Sequence, residues 1–171
     1  MHQEIIDVIN ENNEVIGTKT RVEVRAQNLL HRGIMIFVFN RNGELYIQKR
    51  SSTKDVLPGR YDISCGGFVL SGESYDEAAQ RELHEELGIV APLTFITEVR
   101  YEDEHTNYIA NVYGLVYEDR MVFNDGEVQS GEFVDQHKLK NMLHGGNFVP
   151  DGMHLIRKYL DKAKEVVLNG G

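Results

Sequence analysis

Three glutamates in one short stretch, Glu82, Glu85 and Glu86, are the residues whose types and spacing most clearly point to chemistry. They lie in GFVLSGESYDEAAQRELHEELGI, residues 67 to 89. On a helix turning about 100° per residue, spacings of three and four are surface neighbours, so the three carboxylates share one stripe. Ala79, Leu83 and Leu87 form the adjoining apolar stripe. Like charges at these spacings cost roughly 0.2–0.5 kcal/mol per pair in an isolated helix, which calls for a compensating cation at the edge of the buried face. Hard carboxylate oxygens at this density suit magnesium or manganese, ions that keep some waters and bridge to substrate phosphates. The ordinary alternative is a solvated acidic face, with Arg81 pairing to Glu77 and Glu85 at four-residue spacing.

The elements that must position this helix can be read on either side of it. The helix itself is expected from Ser74 to Leu87, stopped by Gly88. Residues 4 to 9 and 14 to 20 read as a hairpin around Glu11-Asn12-Asn13, and residues 21 to 30 as a short helix. Residues 33 to 39 and 44 to 49 read as a core hairpin, because Asn42-Gly43 in the intervening turn tolerates positive φ. A loop from Ser51 to Arg60 leads to a brief strand at Tyr61 to Cys65 and then to Gly66-Gly67. Strands are expected near 94 to 102, 107 to 118 and 131 to 135, and helices near 136 to 143 and 151 to 168. Strands often adjacent in sequence, with few helices, indicate α+β packing of helices on a mixed sheet. Residues 1 to 171 are expected to form one domain, since no repeat, low-complexity tract or linker divides them.

With this frame in place, the stretch 67 to 89 resembles the Nudix family. It matches G-x(5)-E-x(7)-R-E-U-x-E-E-x-G-U, with U a bulky aliphatic, at Gly67, Glu73, Arg81, Glu82, Leu83, Glu85, Glu86, Gly88 and Ile89. The resemblance implies an α/β/α sandwich with a mixed sheet and a metal-dependent hydrolase that cleaves a diphosphate linkage. It implies Glu82, Glu85 and Glu86 as ligands of Mg2+ or Mn2+, with a backbone carbonyl of Gly66 or Gly67 completing the set. Arg81 and Glu73 are implied as supports, Gly67 and Gly88 as structural glycines. Such a metal acidifies an attacking water, and a nearby glutamate acts as general base. Glu85 ranks first for that role and Glu127, in NDGEV, second.

A second resemblance runs through DVINENNEVIG, NLLHRGIMIFVFN and LYIQKRSSTKDVLPGRYDISCGG, which are similar to the isopentenyl-diphosphate isomerase-like branch of the Nudix superfamily. That branch contains both isomerases and hydrolases. His31 and Cys65 stand where isomerase residues are expected. Gly67 replaces a metal-binding histidine, Val24 the upstream partner of His31, and Thr106-Asn107-Tyr108 carries no carboxylate. A hydrolase is therefore the leading expectation. An isomerase is the alternative, and a non-catalytic diphosphate-binding module, which usually loses box carboxylates, stands third. The ordinary readings are a hydrogen-bonded structural His31 and a Cys65 that is a small buried hydrophobe. Arg50 and Lys54, with Lys49 and Arg60 nearby, fall where the branch binds diphosphate, and a guanidinium fork beside an ammonium suits phosphate oxygens. Tyr101, Tyr108, Tyr113 and Phe148 receive no substrate role.

Composition narrows the partners. A formal charge of -9 over 171 residues and a pI near 5.2 disfavour a nucleic-acid polymer or an anionic membrane surface. The longest apolar run, Ile34 to Phe39, is too short to span a membrane, and Met1-His2-Gln3-Glu4 lacks a secretory layout. A single cysteine forms no internal disulfide. The expectation is a cytoplasmic enzyme with a small-molecule diphosphate as its partner. Family analogy implies a homodimer.

Overall fold

The strand at the centre of the sheet is β3, His31–Phe39, in the computed structural model, which describes residues 3–170. Its side chains alternate between two cores, as the two-residue period of a strand buried on both faces requires. Ile34, Ile36 and Val38 pack on one side with Ala78, Ala79, Leu83 and Leu87 of the carboxylate helix. Phe37 and Phe39 pack on the other with Leu155, Ile156 and Ala163 near the C-terminus. The sheet is therefore covered on both faces.

In chain order the remaining elements are β1 (Ile5–Ile9), β2 (Val15–Thr20), α1 (Arg21–Ala26), then β3, β4 (Leu45–Arg50), β5 (Tyr61–Asp62), β6 (Cys65–Phe68) and α2 (Tyr75–Leu87). They are followed by β7 (Thr94–Glu102), β8 (Asn107–Val116), β9 (Val128–Val134), α3 (Gln136–His144) and α4 (Pro150–Asn169). β3 runs parallel to β8 from His31↔Tyr108 to Phe39↔Val116, and antiparallel to β6 from Gly33↔Phe68 to Ile36↔Cys65. β7 pairs with β8, and β4 carries β5 and β9. The result is a mixed sheet with flanking helices, the α+β arrangement expected from the order of elements.

Several boundaries differ from the sequence reading, each for a local reason. The helix expected over 21 to 30 ends at Ala26, because Asn28 takes φ 48° and the Leu29 amide turns back to donate to the Val24 carbonyl. The expected core hairpin of β3 and β4 is joined only near its turn, at Phe39↔Leu45. Beyond it the strands part, and the Ser64 hydroxyl fills the gap, accepting from the Val38 amide at 2.9 Å and donating to the Tyr46 carbonyl at 2.6 Å. The same divergence splits the strand expected at 61 to 65. Tyr61–Asp62 stays with β4, whereas Cys65–Phe68 crosses to β3 and carries Gly66 and Gly67 into the sheet. The strand expected at 131 to 135 begins earlier, at Val128.

Helix α2 is defined at both ends. Ser74 accepts from the Glu77 amide while the Glu77 carboxylate accepts from the Ser74 amide, a reciprocal capping box. Gly88 ends the helix at φ 69°, and a Cβ there would lie 2.8 Å from the Val122 carbonyl, so both the conformation and the space exclude a side chain.

Candidate active site

The box arginine is the hub of the carboxylate cluster. Arg81 Nε and Nη2 donate to the two Glu73 oxygens at 2.8 and 3.0 Å, and Nη2 also donates to the Phe68 carbonyl at 2.9 Å. Its Nη1 donates to Glu82 at 2.8 Å and to Glu85 at 3.2 Å. A guanidinium has five N–H donors, and all of them are used. The ion-paired carboxylates raise the Arg81 pKa, with the Glu73 hydrogen bonds the main cause. Glu73 in turn accepts from the Leu70 amide, which fixes the loop between β6 and α2. The alternative pairing of Arg81 with Glu77 does not form, because Glu77 is occupied in the capping box.

Two of the three stripe carboxylates are buried, Glu82 at 9% exposure and Glu86 at 3%, while Glu85 is nearly half exposed. Burial pushes the Glu82 carboxyl up to about 7 against the opposing pull of Arg81, and burial together with the neighbouring Glu82 pushes Glu86 well above the usual carboxylate range. Among the described residues no three His, Cys, Asp or Glu side chains converge on one point. Arg81 Nη1 stands between Glu82 and Glu85 and accounts for their separation.

Gly67 sits directly against this cluster, where a Cβ would lie 2.3 Å from the Glu82 carboxyl carbon and one of its oxygens. The glycine therefore admits the glutamate to the sheet edge. Gly66, Gly67, Glu82 and Glu85 line one end of a cleft of about 130 Å³. Opposite them, Lys54 is ion-paired to Glu127, and Arg21 lies 4.0 Å from the same carboxylate. Burial raises the Glu127 pKa, but Lys54 and Arg21 outweigh it and hold the group below the usual glutamate range. Arg50 also lines the cleft, yet its guanidinium donates to the Val56 and Leu57 carbonyls at 2.8 and 3.2 Å and to Asp62 at 3.4 Å. It holds the 51–60 loop in place. Lys49 and Arg60 do not line the cleft.

Two cationic residues escaped the sequence reading. Arg21 and Arg25 of α1 both line the cleft, and each guanidinium lies 5.1 Å from the Phe68 ring centroid. The buried Arg25 Nε has no hydrogen-bond partner among the described residues, and its nearest carboxylate oxygen, on Asp55, is at 3.7 Å. Their four-residue spacing after the Thr20/Glu23 capping box was the available signal. Gln48, 4% exposed, was also missed. It donates to Glu86 at 3.0 Å and to the Ser64 carbonyl at 3.2 Å, which fixes the glutamate's orientation. Cys65 is fully buried in the apolar cluster under α2, beside Glu86, and does not line the cleft; burial first, and then the Glu86 and Glu82 carboxylates, push its thiol well above the usual range.

A mixed sheet between helices, with a glutamate-rich helix meeting a cleft that also holds Arg21, Arg25 and Lys54 at a bare glycine edge, suits an enzyme that acts on phosphate esters and anhydrides. The family comparison specifies it further. The NUDIX domain model matches residues 29–151. The chain is 37% identical over 160 residues to the Nudix hydrolase YfcD of Salmonella typhi, covering 93% of this chain and 86% of that one. It is 41% identical over 163 residues to a Nudix hydrolase of Yersinia pestis, covering 95% and 88%. The crystal structure of DR0079 from Deinococcus radiodurans superposes with a TM-score of 0.79 at 28% identity, covering 91% of this chain and 98% of that one. The chain belongs to the NUDIX family and is a Nudix hydrolase, an enzyme of the pyrophosphohydrolase class.

Proposed function

We propose that the cleft hydrolyses a diphosphate linkage in a small molecule, with a divalent metal held by Glu82, Glu85, Glu86 and the carbonyl of Gly66 or Gly67. The burial of Glu82 on the cleft wall and of Glu86, one turn further along the same helix and outside the cleft lining, carries this reading, since charge there needs a cation that Arg81 alone supplies incompletely. The donor set is entirely hard oxygen and fits magnesium or manganese. Such an ion, when bound, neutralises the diphosphate and acidifies an attacking water.

The protein's own groups supply the rest. Arg81 and Glu73 hold the glutamate stripe and the preceding loop as one unit. Glu85, the exposed member, has the access that a general base needs. Glu127 is the weaker candidate, because its ion pair with Lys54 lowers its basicity. Lys54, together with Arg21 and Arg25, supplies cationic groups suited to phosphate oxygens. Arg50 contributes by fixing the loop that carries Lys54.

Within the resemblance to the isopentenyl-diphosphate isomerase-like branch, the placement of Cys65 favours hydrolysis over isomerisation. An isomerase thiol must reach a substrate carbon, and Cys65 is sealed behind the cleft floor. Glu86→Gln is expected to lower kcat/KM by about a thousandfold in a magnesium-dependent diphosphate hydrolysis assay, with the circular dichroism spectrum unchanged. Near-normal activity in that variant removes Glu86 from the site.

A further inference from the structure

The far end of the cleft is lined by His31, Tyr108, Asp62 and Asp151, a set that the hydrolytic reading leaves unused. We propose that this end recognises the organic group attached to the diphosphate through hydrogen-bond donors on that group, hydroxyl or amine, and selects against a plain hydrocarbon. The proposal rests on the reading of the cleft as a diphosphate site and names the class of group beside it.

His31 is the first observation. It is 6% exposed, and its Nδ1 lies 2.9 Å from the Leu29 carbonyl, which accepts only if Nδ1 carries the proton. Nε2 is then a bare acceptor, with no hydrogen-bond partner among the described residues. The ring is held by stacking on Phe68 at 4.5 Å and by the edge of Tyr108 at 6.3 Å, so it cannot turn to find a partner. Burial depresses its pKa to about 4, which keeps the imidazole neutral near pH 7.

The second observation is the pair of acids beside Tyr108, the residue that stands next to His31 across the β3/β8 pair. Asp62 stands against the first turn of α4, with its Oδ1 2.5 Å from where a Gly152 Cβ would be, beside Asp151. Tyr108 donates its hydroxyl to Asp151 at 3.3 Å and is thereby spent as a donor. Burial and the neighbouring Asp151 push the Asp62 carboxyl up to about 7. Carboxyl oxygens and the His31 Nε2 therefore line the same part of the cleft, with Arg50 paired to Asp62 and with Arg21 and Arg25 bordering Phe68, the ring on which His31 stacks. An alkyl group placed here would strip water from these acceptors and return no hydrogen bond, a mismatch that discriminates far more strongly than a missing methylene does. Gly33, two residues along β3 from His31, adds no side chain to this lining, which leaves room for the group.

The test uses three ring compounds of matched size with magnesium: glucose 1-diphosphate, glucosamine 1-diphosphate and cyclohexyl diphosphate. Binding is read by calorimetry on their non-hydrolysable imidodiphosphates, so the result does not depend on turnover. Wild type is expected to bind at least one of the two donor-bearing ligands about tenfold more tightly than the cyclohexyl compound, the worth of one or two neutral hydrogen bonds. His31→Phe, which preserves the stack, is expected to bring that ratio down to between one and two. Preference for glucosamine that Asp151→Asn removes identifies an amine, and preference for glucose that survives Asp151→Asn identifies hydroxyls. Equal binding of all three, or tighter binding of the cyclohexyl compound, overturns the proposal. Selective binding without hydrolysis of any of the diphosphates upholds it and sinks the catalytic reading instead.

Discussion

Replacing Arg81 by lysine keeps the charge and removes the fork, so it isolates what the geometry of the hub is worth. The guanidinium places its five donors on Glu73 twice, on the Phe68 carbonyl, on Glu82 and on Glu85. Lysine has three N–H donors at the end of a shorter reach, and they diverge tetrahedrally rather than as a planar fork; with two of the five bonds kept, three acceptors are left to find water. Arg81 and Glu73 are only 22% and 15% exposed, so the vacated acceptors are not freely solvated. At about 1 kcal/mol net for each lost bond, the destabilisation comes to about 3 kcal/mol. For a chain of this size that corresponds to a fall in Tm of roughly 6–12 °C. Differential scanning calorimetry without metal measures it directly. A Tm within about 2 °C of wild type would show that charge alone holds the cluster, and the account of Arg81 as a geometric hub would be refuted.

Three further outcomes are expected. Millimolar magnesium or manganese should raise the Tm of wild type by mass action and should leave a triple Glu82, Glu85, Glu86→Gln variant unmoved; identical shifts in both proteins would sink the metal assignment. For His31 the folded pKa lies below the unfolded one, at about 4 against 6.5, so the unfolded chain binds the extra proton between these values and stability falls as pH drops from about 6.5 to 4. His31→Phe should flatten that part of the pH–stability curve relative to wild type, by up to about 3 kcal/mol at its acid end, and parallel curves would contradict the buried neutral imidazole. Cys65→Ser should leave diphosphate hydrolysis largely unchanged, whereas deuterium incorporation into isopentenyl diphosphate by wild type but not by the variant would establish the isomerase alternative.

The helix that carries the carboxylates was legible from the chain because its signals are local. Ser74 and Glu77 cap it, Gly88 stops it, and the stripe of Glu82, Glu85 and Glu86 follows from helical spacing alone. The strand β3 was equally readable, since a short run rich in β-branched and aromatic residues that ends at an Asn-Gly turn needs no knowledge of partners. What spacing could not supply was the choice among neighbours. Arg81 had Glu77 and Glu85 available at four residues, yet it took Glu73, Glu82 and Glu85 once the capping box had claimed Glu77. Arg50 and Lys54 read alike as phosphate ligands, but folding ties Arg50 to the carbonyls of its own loop and sets Lys54 against Glu127. Arg21, Arg25 and Gln48 became part of the site only because strand pairing brings α1 and β4 to the edge where Gly67 admits Glu82. Local sequence determines which groups lie on one face of an element, because a helix or strand repeats over a few residues. Which faces meet across the cleft is decided by contacts far apart in the chain, and those exist only in the folded sheet.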